Sequence, residues 1–314
     1  MPTIATGGDT PLQTNSTAVI NEPGNIVNTA STTETVPPSD TTETANAFAT
    51  PTIVNHTVPV VVFVGPPTSG KSMILVRLAK YLRAQGYAIK TDPTFLNTSK
   101  YLQGCKDFED SLNTVKALPG TVEYLLVDVY LGGNLVAKLL EAPGEDFYTT
   151  NKNRKEKNSR VEAYLATIMA SNNPKSYVTL LDLDSVISFR RDNYHRDSYS
   201  QRFLNYFYPA INKKRDKIIL LYNKIDMTPF GDINGCNNYS AARNDAELYY
   251  PQLFSSLKVS KLGGFITVDN FTFLTFCTGM FSSQTDSLGN NFEVYNVASD
   301  NYPRDLWREI TSKW

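Results

Sequence analysis

The stretch Thr57-Val-Pro-Val-Val-Val-Phe-Val64, followed by Gly65-Pro-Pro-Thr-Ser-Gly70-Lys71-Ser72, decides how this chain folds. Its first half is an unbroken apolar run of strand length, which suits a strand covered on both faces of a parallel sheet. Its second half fits G-x-x-x-x-G-K-S/T. After it, Ile74, Leu75, Leu78, Ala79 and Leu82 recur at helical spacing across Ser72–Gln85, and Gly86 stands where a helix stop belongs. Strand, glycine loop and helix in that order aim backbone N–H groups into one concavity at a helix N-terminus, an arrangement that holds phosphate. Gly65 and Gly70 permit the tight turn. Pro66 and Pro67 have no N–H to donate, so the cradle rests on Thr68, Ser69, Gly70, Lys71 and Ser72. Lys71 is placed to neutralise terminal phosphates, and the Ser72 hydroxyl to ligate Mg2+.

Outward from this loop, the pattern alternates between strands and helices. A short strand is expected at Ala88–Lys90 and a helix at Ser99–Leu118. Val122–Leu131 and Leu135–Glu141 flank Gly132-Gly133-Asn134 and read as a hairpin. Helices at Arg160–Ala170, Ser198–Asn212, Ala241–Leu257 and Pro303–Trp314 alternate with strands at Tyr177–Leu183, Lys217–Tyr222 and Phe271–Cys277. The expected fold is α/β: a doubly wound, mostly parallel sheet with one antiparallel edge hairpin.

Composition sets the boundaries. The 314 residues carry a net charge of −1. Residues 1–55 have no Lys or Arg and five acids, which leaves +4 on residues 56–314. The first segment is rich in Thr, Asn, Ser, Pro and Ala without periodicity, and reads as a disordered low-complexity tail ahead of one domain over 56–314. A near-neutral domain gives no electrostatic case for nucleic acid. No apolar run approaches the roughly 20 residues of a membrane span. Cys105, Cys236 and Cys277 lack paired spacing and read as reduced thiols, so a cytoplasmic protein is expected. His56 and His195 are the only histidines, which disfavours a His-based metal site or triad.

The second decisive motif is Asn223-Lys224-Ile225-Asp226, directly after the strand at Lys217–Tyr222. A carboxylate accepts two hydrogen bonds at once from the guanine ring N–H and its exocyclic amine, a pair that adenine cannot supply. In this arrangement Asn223 braces the phosphate loop and the Lys224 stem covers the base face. With both motifs present in this order, the sequence resembles the Ras-like, translation-factor class of P-loop GTPases. The resemblance spans roughly residues 58–280.

That resemblance implies GTP and GDP as ligands, Mg2+ as cofactor, slow hydrolysis of GTP, a nucleotide-dependent switch, and an unidentified protein effector or regulator. It also assigns further residues. Glu141-Ala-Pro-Gly144 lies where the class places D-x-x-G, so Glu141 would hold a Mg2+ water and Gly144 would sense the γ-phosphate. Glu145 follows where an attacking water is oriented. Thr121 stands at the switch-threonine position as a second Mg2+ ligand, in competition with Thr94, Thr98 and Thr114. Cys277-Thr278-Gly279 takes the place of the last base-contacting motif. The long segment from Gln85 to Thr121 and the A-P-G-E sequence are similar to bacterial double-GTPase-like proteins.

Two other readings stand beside this one. In an AAA-like P-loop ATPase, the strand ending in Asp182 and Asp184 would carry the Mg2+ carboxylate and Asn223 would sense the γ-phosphate, leaving Asp226 without a task. In a nucleotide-gated binding module, Glu141 and Glu145 would accompany little hydrolysis. Arg190 to Arg196 reads as a solvated loop rather than a source of an arginine finger. Tyr206, Phe207, Tyr208, Tyr249 and Tyr250 read as core or partial core.

Overall fold

In a computed structural model of the chain, the described residues are 53, 57–114, 124–141, 165–181, 193–261, 265–285, 289 and 291–312. The chain divides into two units, Met1–Thr44 and Ala45–Trp314, and every described residue belongs to the second. The boundary expected at residue 55 lies outside the described set. Ile53, just before it, is buried in the core.

β1 (Val60–Val64) is buried at all five positions, as its all-apolar sequence demands. It runs parallel to β4 (Asn134–Glu141) on one side and β5 (Lys175–Leu181) on the other. The seven-stranded sheet has the order β2 (Ala88–Thr91), β3 (Leu125–Leu131), β4, β1, β5, β6 (Lys217–Tyr222), β9 (Thr272–Thr275). From β4 to β9 the strands are parallel, whereas β2, β3 and β4 pair antiparallel. β5 and β6 are also buried throughout, so helices and loops cover both sheet faces at the centre. The β3–β4 turn falls at Gly132 and Gly133, both with positive φ, and Asn134 already belongs to β4.

α1 (Lys71–Ala84) packs against α2 (Ser99–Asn113) and the last helix, α6 (Asn301–Thr311). α3 (Asn193–Arg202) packs against α5 (Pro251–Ser256), and residues 165–170 are also helical. The single helix expected over Ser198–Asn212 is α3 followed by a π turn, Phe203–Phe207, and a 3-10 turn, Tyr208–Ala210. The π turn brings Phe203 and Phe207 into a stack with ring centroids 5.9 Å apart. The helix expected over Ala241–Leu257 is two, α4 (Tyr239–Tyr249) and α5, broken at Tyr250 because Pro251 cannot donate into a continuing helix. The break buries Tyr250 edge-on against Tyr199, with centroids 6.0 Å apart. Among the core aromatics expected, Phe207 and Tyr250 are buried, and Tyr206, Tyr208 and Tyr249 are half-buried.

The expected antiparallel edge hairpin is β3–β4, and there is more antiparallel pairing beside it. β2 extends the antiparallel edge to three strands, and two further ribbons stand apart from the sheet: β7 (Lys258–Lys261) with β8 (Ile266–Asp269), and β10 (Gly279–Thr285) with β11 (Asn291–Val297). No described helix is long and apolar enough to cross a membrane.

Candidate functional site

The loop after β1 is held together by its own polar groups. Ser69 donates through Oγ to the Pro66 carbonyl at 2.8 Å, and Thr68 through Oγ1 to the Pro67 carbonyl at 2.6 Å. Lys71 is buried, and its Nζ donates to the carbonyls of Gly65 (3.0 Å) and Pro66 (2.9 Å), which fold the ammonium back under the loop. A Cβ at Gly65 would lie 2.8 Å from Ser69 Oγ and 3.0 Å from Leu180 Cβ, so the turn passes too close to its neighbours for any side chain. Gly70 stands at the N-cap of α1 with φ +93, and α1 has neither a side-chain cap nor an acid in its first turn. By contrast, Thr98 caps α2 and Asn238 caps α4 through side-chain oxygens.

Ser72, in the first turn of α1, donates through Oγ to Glu141 Oε1 at 2.6 Å. Parallel pairing sets this contact: Phe63 is in register with Glu141 at the carboxyl end of β4, so the acid emerges beside the loop. Glu141 is fully buried. A serine hydroxyl and one carboxylate are hard oxygen donors of the kind Mg2+ takes from protein when phosphate and water oxygens complete its octahedron. Among the described residues no group of three or more His, Cys, Asp or Glu is arranged around a metal position. The donor pair fits a phosphate-bound Mg2+.

The loop after β6 is stitched to the loop after β1. Asn223 is buried, and its Nδ2 donates to the Ser69 carbonyl at 2.9 Å, while its Oδ1 has no hydrogen-bond partner among the described residues. Lys224 donates through Nζ to the Thr68 carbonyl at 3.2 Å. Thr68 (φ +62) and Lys224 (φ +60) are the two non-glycine residues with positive φ among the described residues, and they meet each other here. Backbone strain of this kind, of order 1–3 kcal/mol each, concentrates where surrounding contacts impose it. A Cβ on Gly70 would lie 2.5 Å from Asn223 Nδ2, so the close approach of the two loops requires glycine.

Asp226 sits three residues beyond Asn223, half-buried in the 3-10 turn Ile225–Met227. The loop after β9 lies against this turn: Ile225 N–H donates to the Phe276 carbonyl at 3.1 Å, and Phe276 N–H to the Tyr222 carbonyl at 2.8 Å. Cys277 is buried there, near the Asp226 carboxylate. Burial, and then that carboxylate, pushes the thiol well above its ordinary range. The structure thus gathers Gly65, Thr68, Ser69, Gly70, Lys71, Ser72, Glu141, Asn223, Lys224, Asp226, Cys277 and Thr278 along the carboxyl ends of β1, β4, β6 and β9.

Thr121, Gly144 and Glu145 lie outside the described residues, as do Asp182 and Asp184. The competing threonines have local tasks: Thr98 caps α2, Thr94 donates to Asp92, and Thr114 ends α2. Sequence reasoning gave no role to Tyr295, whose hydroxyl donates to the Thr278 carbonyl, or to Arg77, which reaches from α1 to Ala298 and Asp300. Neither carries a motif signal, because both act through contacts more than fifteen residues away in sequence.

No protein-family model and no curated protein matches the sequence. Solved structures similar to this chain include the putative nucleolar GTP-binding protein 1 PFF0625w from Plasmodium falciparum. It is 15% identical, with 72% of this chain and 80% of that chain covered and a TM-score of 0.36. The Ski7 GTPase-like domain of S. cerevisiae, bound to GDP and inorganic phosphate, is 16% identical over 82% of this chain and 51% of that one, with a TM-score of 0.38. The SRb-GTP/SRX complex of the signal recognition particle receptor from Chaetomium thermophilum is 14% identical over 64% and 82%, with a TM-score of 0.35. At such scores the likeness is loose, and the assignment of the fold stands on this chain's own geometry. With β1 parallel between β4 and β5, an antiparallel edge beyond β4, and the loop after β1 joined to both Glu141 and Asn223, this chain has a doubly wound, mostly parallel α/β fold with a glycine loop between its first strand and first helix.

Proposed function

We propose that the chain binds GTP and GDP with Mg2+, hydrolyses GTP, and uses loss of the γ-phosphate as a switch. One observation carries this reading. Asn223 and Lys224 hydrogen-bond the carbonyls of Ser69 and Thr68, so the phosphate loop and the turn bearing Asp226 are neighbours that a single nucleotide spans. An adenine reading leaves Asp226 idle, whereas guanine supplies both of the donors its carboxylate accepts.

In this reading the first-turn N–H groups of α1 and the Lys71 ammonium receive the phosphate oxygens, with Lys71 exchanging its loop carbonyls for them. Ser72 and Glu141 would hold Mg2+, with Thr121 as a further ligand. Mg2+, when bound, would neutralise charge on the phosphates. Asp226 reads the base, the Lys224 stem covers its face, and Cys277 and Thr278 border it. Gly144 donates to the γ-phosphate and Glu145 orients the attacking water for in-line displacement.

The test uses purified full-length chain. Fluorescent GDP should bind in preference to fluorescent ADP, and single-turnover GTP hydrolysis with Mg2+ should be measurable and lost in Lys71→Ala. Preference for ADP overturns the guanine reading. Tight GDP binding without turnover leaves a nucleotide-gated binding module.

A further inference from the structure

The β10–β11 ribbon leaves the chain directly after the base loop, and its return strand comes back to that loop. The Tyr295 hydroxyl donates to the Thr278 carbonyl, and the Ala298 N–H donates to the same carbonyl at 3.5 Å. Gly279 opens β10 at φ +137. A Cβ there would run into the Asn296 carbonyl and lie 2.7 and 2.8 Å from the Tyr295 ring carbons Cε2 and Cζ, so the ring rests flush on the loop backbone. Burial pushes the Tyr295 hydroxyl up to about 12.

From the other side, buried Arg77 of α1 donates through Nη2 to the Ala298 carbonyl at 2.8 Å and to Asp300 Oδ1 at 2.5 Å. Residues 295–300 are therefore tied both to the base loop and to the helix that begins at the phosphate loop.

We infer that the β10–β11 ribbon is a clamp on the base loop and that Tyr295 is the positioning residue through which it sets how tightly guanine is retained. The inference rests on the guanine reading above. Because the peptide unit is planar, fixing the Thr278 carbonyl also fixes the Gly279 N–H, and with it the orientation of the backbone beside Cys277. Removing only the Tyr295 hydroxyl loosens that plane, leaving the 3.5 Å bond from the Ala298 N–H and the ring in place.

The experiment loads the full chain with fluorescent GDP, chases with unlabelled GDP, and measures release from wild type, Tyr295→Phe and Gly279→Ala. Loss of one hydrogen bond of this class should speed release from Tyr295→Phe by about two- to tenfold. Gly279→Ala, which displaces the ring and the Asn296 carbonyl, should release faster still. Inorganic tripolyphosphate, which engages only the phosphate loop, should compete equally well against wild type and Tyr295→Phe. Unchanged release from Tyr295→Phe refutes the clamp, and so does a loss of tripolyphosphate affinity in proportion to that of GDP, because the ribbon would then merely support the whole fold. A wild-type chain that does not retain fluorescent GDP refutes the guanine reading, and this inference with it.

Discussion

Gly70→Ala and Gly86→Ala form a matched pair that isolates the joint between the two loops. Both glycines have left-handed backbone, φ +93 and φ +86, at opposite ends of α1. Alanine in that region costs about 1–2 kcal/mol at either position. The surroundings differ. A Cβ at Gly86 meets nothing within 4 Å, whereas at Gly70 it would lie 2.5 Å from Asn223 Nδ2. The amide must then withdraw from the Ser69 carbonyl, ending a 2.9 Å hydrogen bond inside a site where Asn223 is only 2% exposed. Losing that bond and stranding a buried amide costs about a further 2–3 kcal/mol. At about 2–4 °C per kcal/mol for a domain of this size, Gly70→Ala should melt about 4–12 °C below Gly86→Ala. In a fluorescent GDP titration, Gly86→Ala should match wild type and Gly70→Ala should bind at least about tenfold more weakly, the equivalent of about 1.4 kcal/mol. Equal melting temperatures for the two variants would refute the bracing role of Asn223, and with it the claim that the loops form one site.

Three other outcomes are expected. Glu141→Gln keeps the shape beside Ser72 but removes the charge, so the Mg2+ concentration for half-maximal GTP binding should rise by about tenfold, while nucleotide binding in a metal chelator stays unchanged; a Mg2+ titration with fluorescent GTP reads this directly. Asp226→Asn should weaken GDP and strengthen xanthosine diphosphate in competition assays, because the amide donates to the xanthine carbonyl; an unchanged preference places Asp226 away from the base. Burial raises the phenols of Tyr101, Tyr177, Tyr222 and Tyr302 above their ordinary value of about 10. The unfolded chain therefore loses these protons first, so stability holds below about pH 10 and falls as pH rises above it; denaturant midpoints that stay level into that alkaline range would contradict the burial.

How much of this was legible in sequence depended on whether the signal was local. The run Val60–Val64, its glycine loop and α1 announce themselves because a strand buried on both faces has no polar position and the loop chemistry admits few residues. Glu141 was reached through the resemblance alone; the parallel register of Phe63 with it explains why that strand end stands beside the loop. The break at Tyr250 was also written in the sequence, since Pro251 forbids a continuous helix. The apolar period running on through Leu253 masked it. The ribbons β7–β8 and β10–β11 were invisible for a physical reason: outside the sheet their faces stay largely exposed, so selection for burial imprints no alternation on residues such as Met280 or Ser283–Thr285. Cys277 could be brought beside Asp226 only by analogy, because the two lie 51 positions apart in sequence.

The start of α1 shows how the site has shaped the fold. Ser, Thr, Asn or Asp at an N-cap stabilises a helix by about 1 kcal/mol, and α2 and α4 use Thr98 and Asn238 in that way. α1 forgoes this at Gly70. Two constraints converge there: the left-handed φ and the approach of Asn223 exclude any Cβ, and a capping carboxylate or hydroxyl would occupy the very N–H groups a phosphate needs. Lys71 meanwhile rests on the carbonyls of Gly65 and Pro66, and Ser72 on Glu141, so the polar groups keep their positions by borrowing partners that an anion and a metal can replace. On the proposed reading, ligand binding here is an exchange of partners on a framework already in place, which lowers the ordering cost of binding.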